Sequence, residues 1–188
     1  MNDNRLRNLI NLSHVKRWGI VPTLHQESVA EHSFRVAAIS EYLADELAAS
    51  NPDIDRLGLL RMALTHDLEE CYTGDIPAPA KRLFDNHGIL DRAMESLNEF
   101  ETEAQENHAR ERFIVKVSDL LDALWSMRVF GIAPYSTQIV ERITNALEAK
   151  KGEAVKVGFG RNEFGVAMMQ AVFMLTQEKL LVPPWMKP

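Results

Sequence analysis

The segment LTHDLEECYTGDIPAPAK (residues 64–81) sets a histidine and an aspartate side by side at the end of an apolar run. Two more acids, Glu69 and Glu70, follow at once, and the chain then turns on Gly74, Pro77 and Pro79. Upstream, Leu57, Leu59, Leu60, Met62, Ala63 and Leu64 are spaced so densely that a helix here is apolar on nearly every side. Such a helix belongs in an interior. The spacing predicts that it is capped by SNPD (50–53) and runs to about Tyr72, carrying His66 and Asp67 into a low-dielectric region. An aspartate buried without a partner is strongly destabilised or takes up a proton. A pairing with an arginine is the plain structural explanation. The alternative is that something cationic is held there.

The same conflict recurs twice. Ser28 and Glu31 form an S-x-x-E capping box, which predicts a helix from there to about Ala49. On it Val29, His32, Val36 and Leu43 share one face, so His32 points to the core. FIVKVSDLLDALWSM (113–127) is apolar around most of its circumference and still carries Asp119 and Asp122. One of the two can face solvent or bridge to a basic side chain; both cannot be accounted for so easily. Three buried helices therefore offer His32, His66 with Asp67, and Asp119. Two neutral imidazoles and two carboxylates suit a divalent transition metal, whose coordination offsets their desolvation.

The rest of the chain reads as helices too. A first helix is expected over about 3–14 with Leu6, Leu9 and Ile10 inward, and VKRWGIVPTLHQE (15–27) as a loop broken by Gly19 and Pro22. Further helices are expected near 86–107, over about 109–130 with a stop at Gly131, from Tyr135 to Lys151 with a stop at Gly152, and near 162–180. No alternation of period two and no linker is visible. The expectation is an all-α fold: one compact domain over 1–188, built from about seven helices.

A length of 188 residues suffices for a proper core, and 46% hydrophobic with 26% charged residues is ordinary for a globular protein. The net charge of -6 argues against nucleic-acid or membrane-surface binding by bulk attraction. A lone cysteine, Cys71, excludes an internal disulfide and reads as a small buried helix residue. With no signal-like N-terminus and no long apolar run, a soluble cytoplasmic protein is expected.

The order H…HD…D resembles the HD-domain metal-dependent phosphohydrolases, a helical superfamily. VKRWGIVPT (15–23), ESVAEHS (27–33), THDLEECYTGDIPAPAK (65–81) and KVSDLLDAL (116–124) resemble successive blocks of its bacterial 5'-deoxynucleotidase branch. They are more similar still to the small phage enzymes that strip phosphates from dATP in 2-aminoadenine phages. An HD dipeptide alone carries little weight; four blocks in order over about residues 8–125 carry much more.

That resemblance implies a compact HD-domain helical bundle with its metal on His32, His66, Asp67 and Asp119. It implies Glu70 as the acid that orients or deprotonates the attacking water, and Asp75 as an acid at the sugar and phosphate end. Arg17 and Lys81 correspond to cations on phosphate oxygens. Trp18 corresponds to an aromatic that packs on the deoxyribose and excludes a 2'-hydroxyl, and Ile20 to an aliphatic contact against C2 of adenine. The plain alternatives are an exposed helix acid for Glu70, as expected for Glu69, a core aromatic for Trp18 and loop packing for Ile20. The implied activity is removal of phosphate from dATP, and also dADP and dAMP, to give deoxyadenosine. Zn, Co or Mn is the implied cofactor, with Mg as a second ion. Self-assembly is implied as well, a hexamer favoured over a dimer. The rival readings are a broad 5'-deoxynucleotidase for monophosphates and a catalytically inactive nucleotide-binding regulatory module. His14, His25, His87 and His108 lack such context and read as surface or structural residues.

Overall fold

In the computed structural model the described residues are 3–77, 79–81 and 108–176. They form seven α-helices, with no strand among them. These are α1 (Asp3–Asn11), α2 (Val29–Leu47), α3 (Arg56–Thr65), α4 (Glu70–Thr73), α5 (Ala109–Val129), α6 (Tyr135–Glu153) and α7 (Arg161–Thr176). A 3-10 turn, Ala154–Val157, follows α6. The helix expected near 86–107, with His87, and the tail with Leu181, Val182 and Trp185 lie outside the described residues.

Helix α2 is the axis of the bundle and lies against α3, α5 and α7. Its start is fixed by the expected capping box: Glu31 N–H donates to Ser28 Oγ at 3.2 Å, and Ser28 N–H donates to Glu31 Oε2 at 2.7 Å. Both donors would otherwise be orphaned at a helix start. Its buried stripe contains Val29, His32, Val36 and Leu43, as the periodicity requires. Behind it, Phe113, Phe159 and Phe164 stack with ring centroids 5.0–6.2 Å apart.

Several expectations need correction. Helix α1 stops at Asn11, and Leu6 and Ile10 are exposed; Leu12, just beyond the helix, is the residue that inserts into the core. Helix α3 is capped by Asp55, whose carboxylate accepts from Gly58 N–H at 3.0 Å, rather than by SNPD. It buries only Leu59 and Ala63, and leaves Leu57 and Leu64 exposed. Helix α6 continues through Gly152 to Glu153, and the 3-10 turn that follows it is closed by Gly158, at φ 91°. Gly131 does follow the end of α5, where a Cβ would come within 2.3 Å of Ser136 Cβ and 2.4 Å of Met127 O.

The most consequential correction is in the opening segment. The helix expected to run to Tyr72 ends at Thr65, and residues 66–69 form turns before α4 begins. The cause is local. Thr65 Oγ1 donates to Arg61 O at 2.8 Å and His66 Nδ1 donates to Ala63 O at 2.8 Å, so side chains take carbonyls at the helix end. The backbone then tightens, with Leu68 N–H on Thr65 O and Glu70 N–H on Asp67 O, both at 3.1 Å.

The loop before α2 is tied at both ends. Arg17 N–H donates to Glu27 O at 3.0 Å, while Leu24 N–H donates to Phe130 O and Ile132 N–H to Pro22 O, at 2.7 and 3.1 Å. It is thereby anchored to the end of α5, and Arg17 and Trp18 are held over the α2–α5 seam.

Candidate active site

Three potential ligand atoms, on His32 of α2 and on His66 and Asp67 of the broken segment, lie within 4.8 Å of one another, and Asp119 of α5 adjoins them through His32. His32 Nε2 is 3.1 Å from His66 Nε2, 3.5 Å from Asp67 Oδ2 and 3.3 Å from Asp119 Oδ1. His66 Nε2 and Asp67 Oδ2 are 3.1 Å apart. Neighbours in a regular helix point about 100° apart, so the turns after Thr65 are what allow His66 and Asp67 to aim together.

The tautomers are set from behind. His66 Nδ1 faces a carbonyl, which cannot donate, so that nitrogen carries the proton. His32 Nδ1 lies 2.6 Å from Asp122 Oδ2 and donates to it. Each neutral ring therefore presents an Nε2 lone pair, and the two lone pairs face each other. That arrangement calls for positive charge between them. The same demand appears in the titration of the cluster. Burial and Arg17 lower the His32 pKa, but Asp119, Asp122 and Asp67 outweigh them and carry it up to about 10. Burial opposes charging of His66 as well, yet Asp67 raises its pKa. Asp67 is held well below the usual carboxylate range despite burial, by His32 and His66. Two imidazole nitrogens with fixed tautomers and two carboxylates fit a divalent cation, which would meet this demand without extra protons.

The two aspartates of α5 divide the work. The Asp119 side chain is 39% exposed and opens toward Arg17 Nη2 at 3.8 Å. Asp122 is fully buried; besides His32, it accepts from Arg35 Nε and, at 3.3 Å, from Arg35 Nη2. Arg35 also pairs with Glu27, which is 0% exposed and accepts from Ser126 Oγ at 3.0 Å and from Trp18 Nε1 at 2.9 Å. Glu27 and Arg35 were not identified by sequence reasoning. A signal did exist for Arg35, one turn after His32 and available to pair an α5 acid. Glu27, which precedes the helix, was marked only as the first residue of the ESVAEHS block, with no role attached.

Around the cluster, Glu70 is 2% exposed, and Lys81 Nζ donates to its Oε1 at 3.3 Å. Its Oε2 is buried with no hydrogen-bond partner. Burial first, then the Asp67 charge, pushes its pKa up to about 8. Glu69, expected to be exposed, is buried and its pKa is raised by that burial, whereas Cys71, expected to be buried, is partly exposed. Arg17 has no strong pairing: its Nη1 is 3.5 Å from Asp122 Oδ2 and 3.8 Å from Glu27 Oε1, and makes no hydrogen bond. Trp18 stands in the left-handed region at φ 62°, where a non-glycine residue costs about 1–2 kcal/mol. Asp75 Oδ2 accepts from its backbone N–H at 3.0 Å and, with Glu27 on the indole, holds it there. Ile20 is 66% exposed and is not core packing. His25 bridges to Glu31 at 3.7 Å, and His108 sits at the start of α5, 3.7 Å from Glu111; neither joins the cluster.

Comparison with known proteins agrees with this architecture. The HD domain family matches residues 9–127, a span that contains every candidate site residue. A dATP triphosphohydrolase of Salmonella phage PMBT28 is 32% identical over 141 residues, covering 69% of each chain. A 5'-deoxynucleotidase of Pasteurella multocida is 34% identical over 76 residues, which are 39% of this chain and 38% of that protein. Among solved structures, a Cyanophage S-2L HD phosphohydrolase bound to dA and one catalytic Zn2+ superposes with a TM-score of 0.70 at 22% identity. The superposition covers 89% of this chain and 96% of that one. The all-α fold, the extent of the family match and the phage relative together mean that the chain belongs to the HD-domain family.

Proposed function

We propose that the chain is a metal-dependent phosphohydrolase that converts dATP, and also dADP and dAMP, to deoxyadenosine. The observation that carries this reading is the facing Nε2 pair of His32 and His66, flanked by Asp67 and Asp119. The phage relative named as a dATP triphosphohydrolase supports the choice of substrate. A divalent ion such as Zn, Co or Mn, when held by these four residues, supplies a nucleophilic water at neutral pH and polarises the phosphoryl oxygens. Mg is a fitting second ion.

This chain's own residues do the rest. With a divalent ion in the cluster drawing its raised pKa back down, an ionised Glu70 would accept, at its unpaired Oε2, a proton from the attacking water. The water oxygen bonds to the α-phosphorus as the bond to O5' breaks; deoxyadenosine leaves with a proton on O5', and triphosphate remains. Arg17, with an uncommitted Nη1, and Lys81 neutralise the phosphoryl oxygens. The indole of Trp18 lies along the deoxyribose and excludes a 2'-hydroxyl, and Asp75 keeps it in place through the backbone. Ile20, exposed in the same loop, touches C2 of adenine.

The reading includes self-assembly, a hexamer before a dimer, for which exposed Leu24 and Phe34 offer apolar surface. It also places the protein in a reducing cytoplasm. Among the described residues no helix is long and apolar enough to cross a membrane. The deciding experiment is chromatography of products from dATP, dAMP, ATP and dGTP with Mn, Co or Zn. Deoxyadenosine from dATP and dAMP, with ATP and dGTP spared, is expected. Turnover of monophosphates alone would favour the broad 5'-deoxynucleotidase, and no turnover with retained binding would favour a regulatory module.

A further inference from the structure

A cavity of about 310 Å3 lies between α3 and α5, lined by Met62, His66, Arg112, Val115, Lys116 and Asp119. It shares His66 and Asp119 with the metal-ligand cluster, and neither Trp18 nor Ile20 lines it. It therefore adjoins the reacting centre apart from the loop assigned to sugar and base.

The walls follow from helical spacing. On α5, residues 112, 115, 116 and 119 fall at i, i+3, i+4 and i+7, which is one stripe, and on α3 residues 62 and 66 are one turn apart. Two cations one turn apart on an exposed helix face repel each other. Among the described residues neither the Arg112 nor the Lys116 side chain forms an ion pair or hydrogen bond that would relieve this. Glu153 feels the charge of Lys116, but its carboxylate is engaged by Lys150. Among the described residues the remaining lining is Met62 across on α3 and Val115 between them on α5, and both cations keep their exposure to solvent. Lys116 lies about one turn and Arg112 about 10 Å along the axis from Asp119. That order of cations suits an anion with several charges in line that starts at the metal ligands and runs away from them.

We propose that this cavity is the seat of the polyphosphate tail, with Lys116 on the β-phosphate and Arg112 on the γ-phosphate. The site then discriminates triphosphates from monophosphates, because only a tail reaches both cations. The inference rests on the substrate reading above and adds the residues that set the number of phosphates.

The test compares kcat/KM for dATP and dAMP in the unmodified enzyme, in Arg112→Ala, Lys116→Ala and the double variant, alongside calorimetric binding of inorganic tripolyphosphate. Both side chains are solvent-facing and alanine favours a helix, so folding should persist. Each single change should lower the dATP-to-dAMP ratio by about 10-fold and the double change by about 100-fold, the scale of lost charge-assisted hydrogen bonds. Tripolyphosphate binding should weaken in parallel. A ratio that stays within about 2-fold of the unmodified enzyme in the double variant would overturn the proposal. If the unmodified protein hydrolyses neither nucleotide, the substrate reading fails, and tripolyphosphate decides the cavity alone. Binding lost in the double variant then supports it, and binding equal in both, or absent from the unmodified protein, overturns it.

Discussion

Asp119 and Asp122 stand one turn apart on the same helix, and their surroundings are opposite. Asp122 is fully buried and receives His32 Nδ1 and two nitrogens of Arg35, so its charge is matched on every side. Asp119 is 39% exposed, touches His32 Nε2 at 3.3 Å and reaches Arg17 only at 3.8 Å. The contrast extends to the whole site. Behind the histidines, Glu27, Arg35, Ser126 and Asp122 form a closed network. In front, Glu70 Oε2 and Arg17 Nη1 make no hydrogen bond, although Arg17 Nη1 keeps loose ion-pair contacts with Asp122 and Glu27. At this site the fully paired side chains hold the histidine rings from behind, and Glu70 and Arg17 keep hydrogen-bonding capacity on the open side.

The largest expected effect separates the two aspartates. Asp122→Ala leaves the partly buried Arg35 with Glu27 alone and should cost about 1–3 kcal/mol of stability. By freeing the His32 ring it should also lower metal affinity by about 10–100-fold. Asp119→Ala should abolish measurable hydrolysis and weaken metal retention while changing stability by less than about 1 kcal/mol. Denaturant unfolding together with metal analysis checks both. Equal destabilisation by the two changes would break the distinction between a supporting and an open half.

Glu70→Ala probes the open half. Its rate should fall by about 10²–10⁴-fold, the range for loss of a general base, while metal content and dATP binding persist. Metal loss with little change in kcat would move Glu70 among the ligands.

Much of this contrast was legible in the sequence, and the reason differs from residue to residue. His32 could be placed because its face of α2 is defined by Val29, Val36 and Leu43 and its start by a capping box. The need to satisfy one of the paired α5 acids was legible, and Asp122 with Arg35 is the outcome. The path of the chain at His66 was not. Apolar periodicity continued through a break that depends on two side chains taking helix-end carbonyls. Glu69 and Glu70 look alike in sequence and both proved buried; only Glu70 reaches Lys81. The role of Glu27 was invisible because its partners are 8, 9 and 99 residues away.

The smallest expected effect is at the rim. Ile20 is exposed, so Ile20→Ala should leave stability nearly unchanged. It should raise hydrolysis of dGTP and 2-amino-dATP relative to dATP by a factor worth about 1–3 kcal/mol, the cost of crowding an amino group that lacks a hydrogen-bond partner. Competition assays with mixed nucleotides would show it. Equal rates on dATP and dGTP in the unmodified enzyme would remove Ile20 from base selection.

His32, His66, Asp67 and Asp119 are expected to close on one divalent ion. Anomalous diffraction from crystals grown with Mn or Zn, paired with the metal content of the same protein, tests it most directly. A single strong peak about 2.0–2.3 Å from His32 Nε2, His66 Nε2 and one oxygen each of Asp67 and Asp119 is expected. A peak elsewhere, or full hydrolytic activity from protein stripped of metal, would contradict it.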